Sequence, residues 1–304
     1  MGLASRRRLR RQRTARTAMR RSIKLQELAT FPPFVGVYDD ALPPAMLERL
    51  AGEARALWAK SGGARTSAKS YWVDAAGPPP RSALGALARG VIDAHFGGAA
   101  RAAVAGAEVW AQRRSGRGEK GLEFHFDKDE RALDADEDDW RHPALATATY
   151  LASAGAPLLV FDTGSAAGPP RRSPERAWVV APRAARHVAF AGDRLHGVPD
   201  EIATAAETRG ERLSVLVNVW TSRPRGLADL GHDDDAGEYA WLHLATGREN
   251  RAFLPLARVA PGADGLHELA EHRAGDTGPI PLAAWRAAAA APAAALELRY
   301  VGTS

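Results

Sequence analysis

The stretch Glu211-Arg212-Leu213-Ser214-Val215-Leu216-Val217-Asn218-Val219-Trp220 is dense in β-branched and aliphatic side chains and reads as a buried strand. It opens, however, with Arg212 and Ser214, which stand two apart and so share one face of the strand. A buried guanidinium needs an anion, because leaving it unpaired is costly. Its planar fork matches a carboxylate at two points, and the Ser214 hydroxyl can donate a further bond. Upstream, residues 107–113, 122–127, 146–152, 157–162, 177–181 and 187–191 repeat this character, separated by Gly, Pro or charged clusters. Short strands at such spacing predict a sandwich or jelly roll in a mainly β (α+β) chain with flanking helices, not alternating β and α units.

Before this β region, residues 42–60 carry Met46, Leu47, Leu50, Ala54, Leu57 and Trp58 at helical spacing, with Pro near the start. Residues 82–96 give a second helix through Leu84, Leu87, Val91, Ile92 and His95. The chain accordingly divides into a basic tail (1–30), a helical support region (31–102), a β core (103–224) and a C-terminal extension packed on the core (225–304). In the extension, residues 239–244 suggest an edge strand and 282–295 a helix interrupted by Pro292. Residues 129–139 hold five Asp and two Glu but lack the glycine and ligand spacing of a calcium loop, so a solvated acidic loop is expected.

The formal net charge of +5 belongs to the tail. Nine Arg and Lys24 precede the first acid, Glu27, and removing those ten from the 41 basic residues leaves 31 against 36 acidic ones. Nucleic-acid binding by the core thereby loses its main electrostatic support; it stays open for the Arg-rich tail. That tail reads equally as an organelle transit peptide or as a disordered basic arm, so the compartment stays open between cytoplasmic and, if residues 1–24 are a targeting signal, organellar. No apolar run approaches the roughly 20 residues of a membrane span. With no cysteine, thiol catalysis, iron–sulfur clusters and Cys-bound zinc are all excluded. Any transition metal must be held by nitrogen and oxygen, from the nine His and the carboxylates.

Leu122-Glu123-Phe124-His125-Phe126-Asp127 supplies two such ligands. In a strand His125 and Asp127 project together, while Phe124 and Phe126 turn towards a core. An imidazole nitrogen and a carboxylate oxygen then occupy adjacent corners of an octahedron, and a distal His completes a 2-His-1-carboxylate face with three open positions. His196, in Gly192-Asp193-Arg194-Leu195-His196-Gly197-Val198, is the preferred third ligand, at a strand end or turn. Its rival, His187, reads as strand interior, and His142, before Pro143, as a loop residue.

Taken together, His125-Phe126-Asp127, His196 and Arg212-Leu213-Ser214 resemble the iron(II)/2-oxoglutarate-dependent oxygenase superfamily, in particular its prolyl-4-hydroxylase-like members. Ala146–Leu151 and Gly155–Asp162 are similar to the strand pair that follows H-x-D in those members. The resemblance covers roughly residues 105–222 and implies a double-stranded β-helix. It further implies iron(II) on His125, Asp127 and His196, and 2-oxoglutarate on Arg212, Ser214 and Tyr150. Oxygen is the second co-substrate, with ascorbate as an accessory reductant, and a C–H bond of a protein side chain or small metabolite is hydroxylated with release of succinate and carbon dioxide. Asp127, where a halogenase has Gly or Ala, favours hydroxylation. Two departures stand out. The gap from His196 to Arg212 is 16 residues, against the ten or so usual in the superfamily, with the excess in 199–210. Arg212 stands where collagen-type prolyl hydroxylases have Lys, and Asn218 where nucleic-acid dealkylating members have a second Arg. The competing readings are a catalytically inactive jelly-roll binding module, a cupin-like enzyme that does not use 2-oxoglutarate, and a tail that is itself the functional element.

Overall fold

The computed structural model describes residues 35–61, 69–78, 80–115, 122–164, 177–198 and 210–230, with the short strands Ala257–Arg258 and Leu266–Glu268. Its strands are β1 (Val35–Asp39), β2 (Tyr71–Asp74), β3 (Gly106–Ser115), β4 (Leu122–His125), β5 (Leu145–Tyr150), β6 (Leu158–Gly164), β7 (Ala177–Val180), β8 (His187–Ala191), β9 (Arg194–Val198), β10 (Glu211–Trp220), β11 (Ala228–Asp229), β12 (Ala257–Arg258) and β13 (Leu266–Glu268). The helices are α1 (Pro44–Lys60), α2 (Ala83–His95), α3 (Gly98–Ala102) and α4 (Glu130–Ala135).

Thirteen strands form two sheets, one ordered β11-β2-β3-β10-β5-β8-β1-β12 and the other β13-β7-β6-β9-β4. From β3 to β10 the chain passes back and forth between them, and every pairing among these eight strands is antiparallel. That alternation is the winding of a double-stranded β-helix, the jelly roll that the strand pattern and the resemblance both imply. At its centre β10 pairs residue for residue with all of β3, Glu211 opposite Ser115 through Trp220 opposite Gly106.

Strand alternation divides β10 between two environments. Leu213, Val215, Val217 and Val219 face the helices, where they join Leu50, Ala54, Leu87, Val91 and Ile92 in one apolar layer. The other face looks into the space between the sheets, floored by Val35, Val37, Ala148, Val160, Val188, Phe190 and Val198. Helix α1 begins with Pro44 in its first turn and buries Met46, Leu50, Ala54 and Leu57. On α2 the exposed backbone donors of the first turn are satisfied from within and across. Ser82 accepts from Gly85 N at 3.0 Å, and the buried Glu53 carboxylate of α1 accepts from Ala83 N and Leu84 N at 2.9 Å each. Glu53 thereby locks the two helices together before they meet the sheet.

Several expectations are corrected. The region 31–102 contributes β1 and β2 to the large sheet as well as its helices. Phe124, expected in a core, is 45% exposed, its ring edge-on to Phe161 at 5.0 Å. Phe124 belongs to neither of the two buried apolar clusters, lying instead over Gly197 at the edge strand of the small sheet. The acidic segment 129–139 is not simply solvated. Asp129 caps α4 through Ala132 N and also accepts from Arg225 N, while Asp139 pairs with Arg141 through two bonds; both carboxylates are buried. Residues 1–34, 199–209, 239–244 and 282–295, on which other expectations fell, lie outside the described residues.

Candidate metal centre and anion pocket

His125 is the last residue of β4, Asp127 follows two residues beyond the strand, and His196 is the central residue of β9. Register sets His125 directly opposite His196, with ring centroids 4.4 Å apart. The Asp127 carboxylate reaches both imidazoles, Oδ1 at 3.7 Å from His125 Nε2 and Oδ2 at 3.6 Å from His196 Nε2. One ligand atom from each of the three lies within 4.8 Å of the others, the one such group found among the described residues.

His196 sits in strand interior, not at the turn that Gly192 and Gly197 suggest. The turn is confined to 192–193, and Gly197 continues the strand because Phe124 and the Leu122 carbonyl occupy the space a Cβ would need. His196 Nδ1 donates to Arg194 O at 2.9 Å, which fixes the tautomer and turns the Nε2 lone pair towards the cluster. Burial first, then the neighbouring His125, push its pKa down against the pull of Asp127, which favours the neutral imidazole. His142 holds the other end: its Nδ1 lies 2.6 Å from the Asp127 carbonyl oxygen and donates to it. His187 is elsewhere, buried on β8 between His95 Nε2 at 3.0 Å and the Thr149 hydroxyl at 2.9 Å.

Across the lumen, β10 presents Arg212 and Ser214 as the sequence predicts, 3% and 0% exposed. Arg212 Nε donates to Ala156 O at 3.2 Å, and one terminal nitrogen donates to Gln112 Oε1 at 2.9 Å and Ser214 Oγ at 3.5 Å. All three acceptors are neutral, and among the described residues no carboxylate reaches this guanidinium. The contrast is Arg186, equally buried, which grips Asp39 through two bonds of 2.6 and 3.1 Å. Tyr150 stands opposite Ser214 in the ladder, with the Arg212 guanidinium 5.2 Å over its ring. Among the described residues the buried Tyr150 hydroxyl makes no well-formed hydrogen bond, and the nearby Arg212 charge acts on it against burial. Gly155, at φ +108°, closes the pocket where the Arg212 methylenes would meet any Cβ.

An unmatched guanidinium and an orphaned phenol, side by side, have the donor chemistry of a site for a small carboxylate. Three convergent nitrogen and oxygen ligands on the other wall have that of a site for iron(II). Sequence reading missed Gln112, which orients Arg212, and His142, which steadies Asp127. Gln112 is recognisable only once β3 is registered on β10, and His142 only once its loop folds back on the cluster.

No protein-family model and no curated protein matches the chain. Solved structures of similar shape include a Pseudomonas putida prolyl-4-hydroxylase, at 19% identity over 67% of this chain and 100% of that one, TM-score 0.40. Two others are the epimerase SnoN with Fe3+, α-ketoglutarate and nogalamycin RO (15% identity, 80% and 96% covered, TM-score 0.40) and Streptomyces hygroscopicus HygX with nickel and 2-oxoglutarate (14%, 65% and 85%, TM-score 0.36). At these identities and TM-scores the likeness bears on no individual residue, and the fold stands on its own strand order.

Proposed function

We propose that this chain is an iron(II)- and 2-oxoglutarate-dependent oxygenase that hydroxylates a C–H bond, with His125, Asp127 and His196 as metal ligands and Arg212, Ser214 and Tyr150 as the co-substrate site. The observation that carries this reading is the pairing of a convergent His-Asp-His cluster with a buried guanidinium that no acid among the described residues neutralises, both facing one lumen. Iron(II) held there supplies oxygen activation coupled to oxidation of 2-oxoglutarate to succinate and carbon dioxide. The chain's own residues bind, orient and exclude water. Arg212 receives the distal carboxylate on its fork, Gln112 keeps that fork from rotating, and the Tyr150 and Ser214 hydroxyls donate to the same anion. Val188, Phe190 and Val198 wall the lumen with apolar surface, which strengthens each of those charge-assisted bonds. No helix among the described residues is long and apolar enough to cross a membrane.

The test is succinate formation from 2-oxoglutarate with added iron(II), with and without candidate substrates. Wild-type protein is expected to turn over and His196→Ala to lose turnover by at least about a hundredfold, the upper end of what losing a mere hydrogen-bond partner of a metal ligand costs. Equal turnover in the two proteins would overturn the assignment.

A further inference from the structure

One transverse row of the large sheet runs, by register, from Trp72 through Glu108, Asn218 and Ala146 to Phe190. Directly opposed residues share a sheet face, so this row lines the same lumen as Arg212 and Tyr150. Its far end abuts the proposed metal cluster, since the Phe190 ring lies 5.0 Å from that of His196. Three strand spacings of about 4.8 Å separate Glu108 from Phe190, and Ala146 contributes only a methyl group to the span. Nothing in the proposed chemistry uses Glu108 or Asn218. Yet among the described residues Asn218 is 2% exposed with no partner for its Oδ1, and no Lys or Arg acts on Glu108. Burial, with Asp127 and Asp129 acting the same way, pushes the Glu108 carboxyl up to about 7 against the pull of Ser70 and Trp220. A half-buried acid and a buried amide oxygen thus lie next to each other, with Trp72 and Trp220 buried in the same corner.

We infer that Glu108 and Asn218 form the subsite for a cationic group of the substrate, a primary amine or a guanidinium. This rests on the oxygenase reading above and deepens it. The lumen is divided by charge along the same two strands. Arg114 and Arg212 oppose each other at one end, and Glu108 and Asn218 oppose each other six residues away, about 20 Å along the strands. The first end selects a carboxylate and repels a cation; the second end does the reverse. A cation entering the second end completes the acceptors of both Glu108 and Asn218, draws Glu108 to its carboxylate form, and gains from the flanking indoles.

The full chain, loaded with iron(II) and 2-oxoglutarate, is challenged with short peptide pools centred on Lys or Arg and with the same pools centred on acetyl-lysine or citrulline. Cadaverine and agmatine form a free small-molecule arm, which separates a metabolite from a side-chain source. Two signals are read: succinate formation, and the shift of the visible charge-transfer band of iron(II)-bound 2-oxoglutarate recorded without oxygen. Cationic probes in at least one arm are expected to exceed their neutral counterparts about tenfold in both signals. Glu108→Gln is expected to bring that ratio near one, and Asn218→Asp to raise it. Because each ratio is internal to one variant, a general loss of activity does not mimic either change. Equal responses to cationic and neutral probes, no response to any probe, or a ratio unchanged in both variants would overturn the subsite alone. Absence of the charge-transfer band in wild type would overturn the oxygenase reading and the subsite with it.

Discussion

At the residue scale the decisive side chains are those whose bonding is incomplete. Among the described residues Arg212 has three neutral acceptors and no acid, and the buried Tyr150 hydroxyl has no hydrogen-bond partner. A charge-assisted bond is worth about 1.5–3 kcal/mol. Arg212→Ala is therefore expected to weaken 2-oxoglutarate binding about tenfold to a hundredfold, as read by calorimetric titration. Tyr150→Phe separates two roles that most substitutions confuse. In the protein without ligand it removes an unsatisfied buried group, so thermal stability is expected to hold or rise. Affinity for 2-oxoglutarate is expected to fall several-fold. A lower melting temperature with unaltered affinity would mean that Tyr150 is only a core residue. His125, Asp127, Arg212 and Ser214 were legible in the sequence because each is anomalous locally: metal-type ligands two apart, and a charge opening an apolar strand. Gln112, His142 and Glu108 were not, because nothing in their neighbourhoods is unusual. Their roles exist only through register with residues that are distant in the chain.

At the element scale, two buried polar links tie the helices to each other and to the sheet. Glu53 serves two backbone donors at the start of α2, and losing such a cap costs about 1–2 kcal/mol. Glu53→Ala is expected to lower the urea midpoint accordingly, with Glu53→Gln nearer wild type because one acceptor survives. The second link is His95 of α2 against His187 of β8, ring centroids 5.2 Å apart, with Tyr38 beside both. Burial holds His95 down at about 4, and burial together with His95 holds His187 well below the usual range. Both are depressed, so the unfolded chain binds the extra protons. Their contribution is complete above about 6.5 and is lost as pH falls from there towards 4, each adding a slope of up to about 1.4 kcal/mol per pH unit. Denaturant melts between pH 7 and 4 should show this fall, and His187→Phe should flatten it. Core strands and both long helices were readable from period alone. The short strands β1 and β2 were not, since five and four residues carry too little alternation to separate strand from loop. Strand β9 was masked by the glycines at 192 and 197, the second of which marks a close approach and not a turn.

At the scale of the whole molecule, charge and fold are separately located. The basic tail lies outside the segment that builds the lumen, and the rest of the chain carries more acid than base. Deleting residues 1–24 is expected to leave 2-oxoglutarate turnover and melting temperature unchanged. A large loss of turnover would make the tail part of the machine. The jelly roll brings β4 and β9 on one wall to face β10, β3 and β5 on the other, which is how His125 and His196 share a space with Arg212. The most direct test of this arrangement is calorimetric titration of 2-oxoglutarate into the full chain, with manganese(II) as a redox-inert stand-in for iron(II). Wild type is expected to bind one equivalent only when the metal is present, with His196→Ala and Arg212→Ala each weakened at least about tenfold. Binding that is independent of metal, or unaffected by both substitutions, would contradict the account.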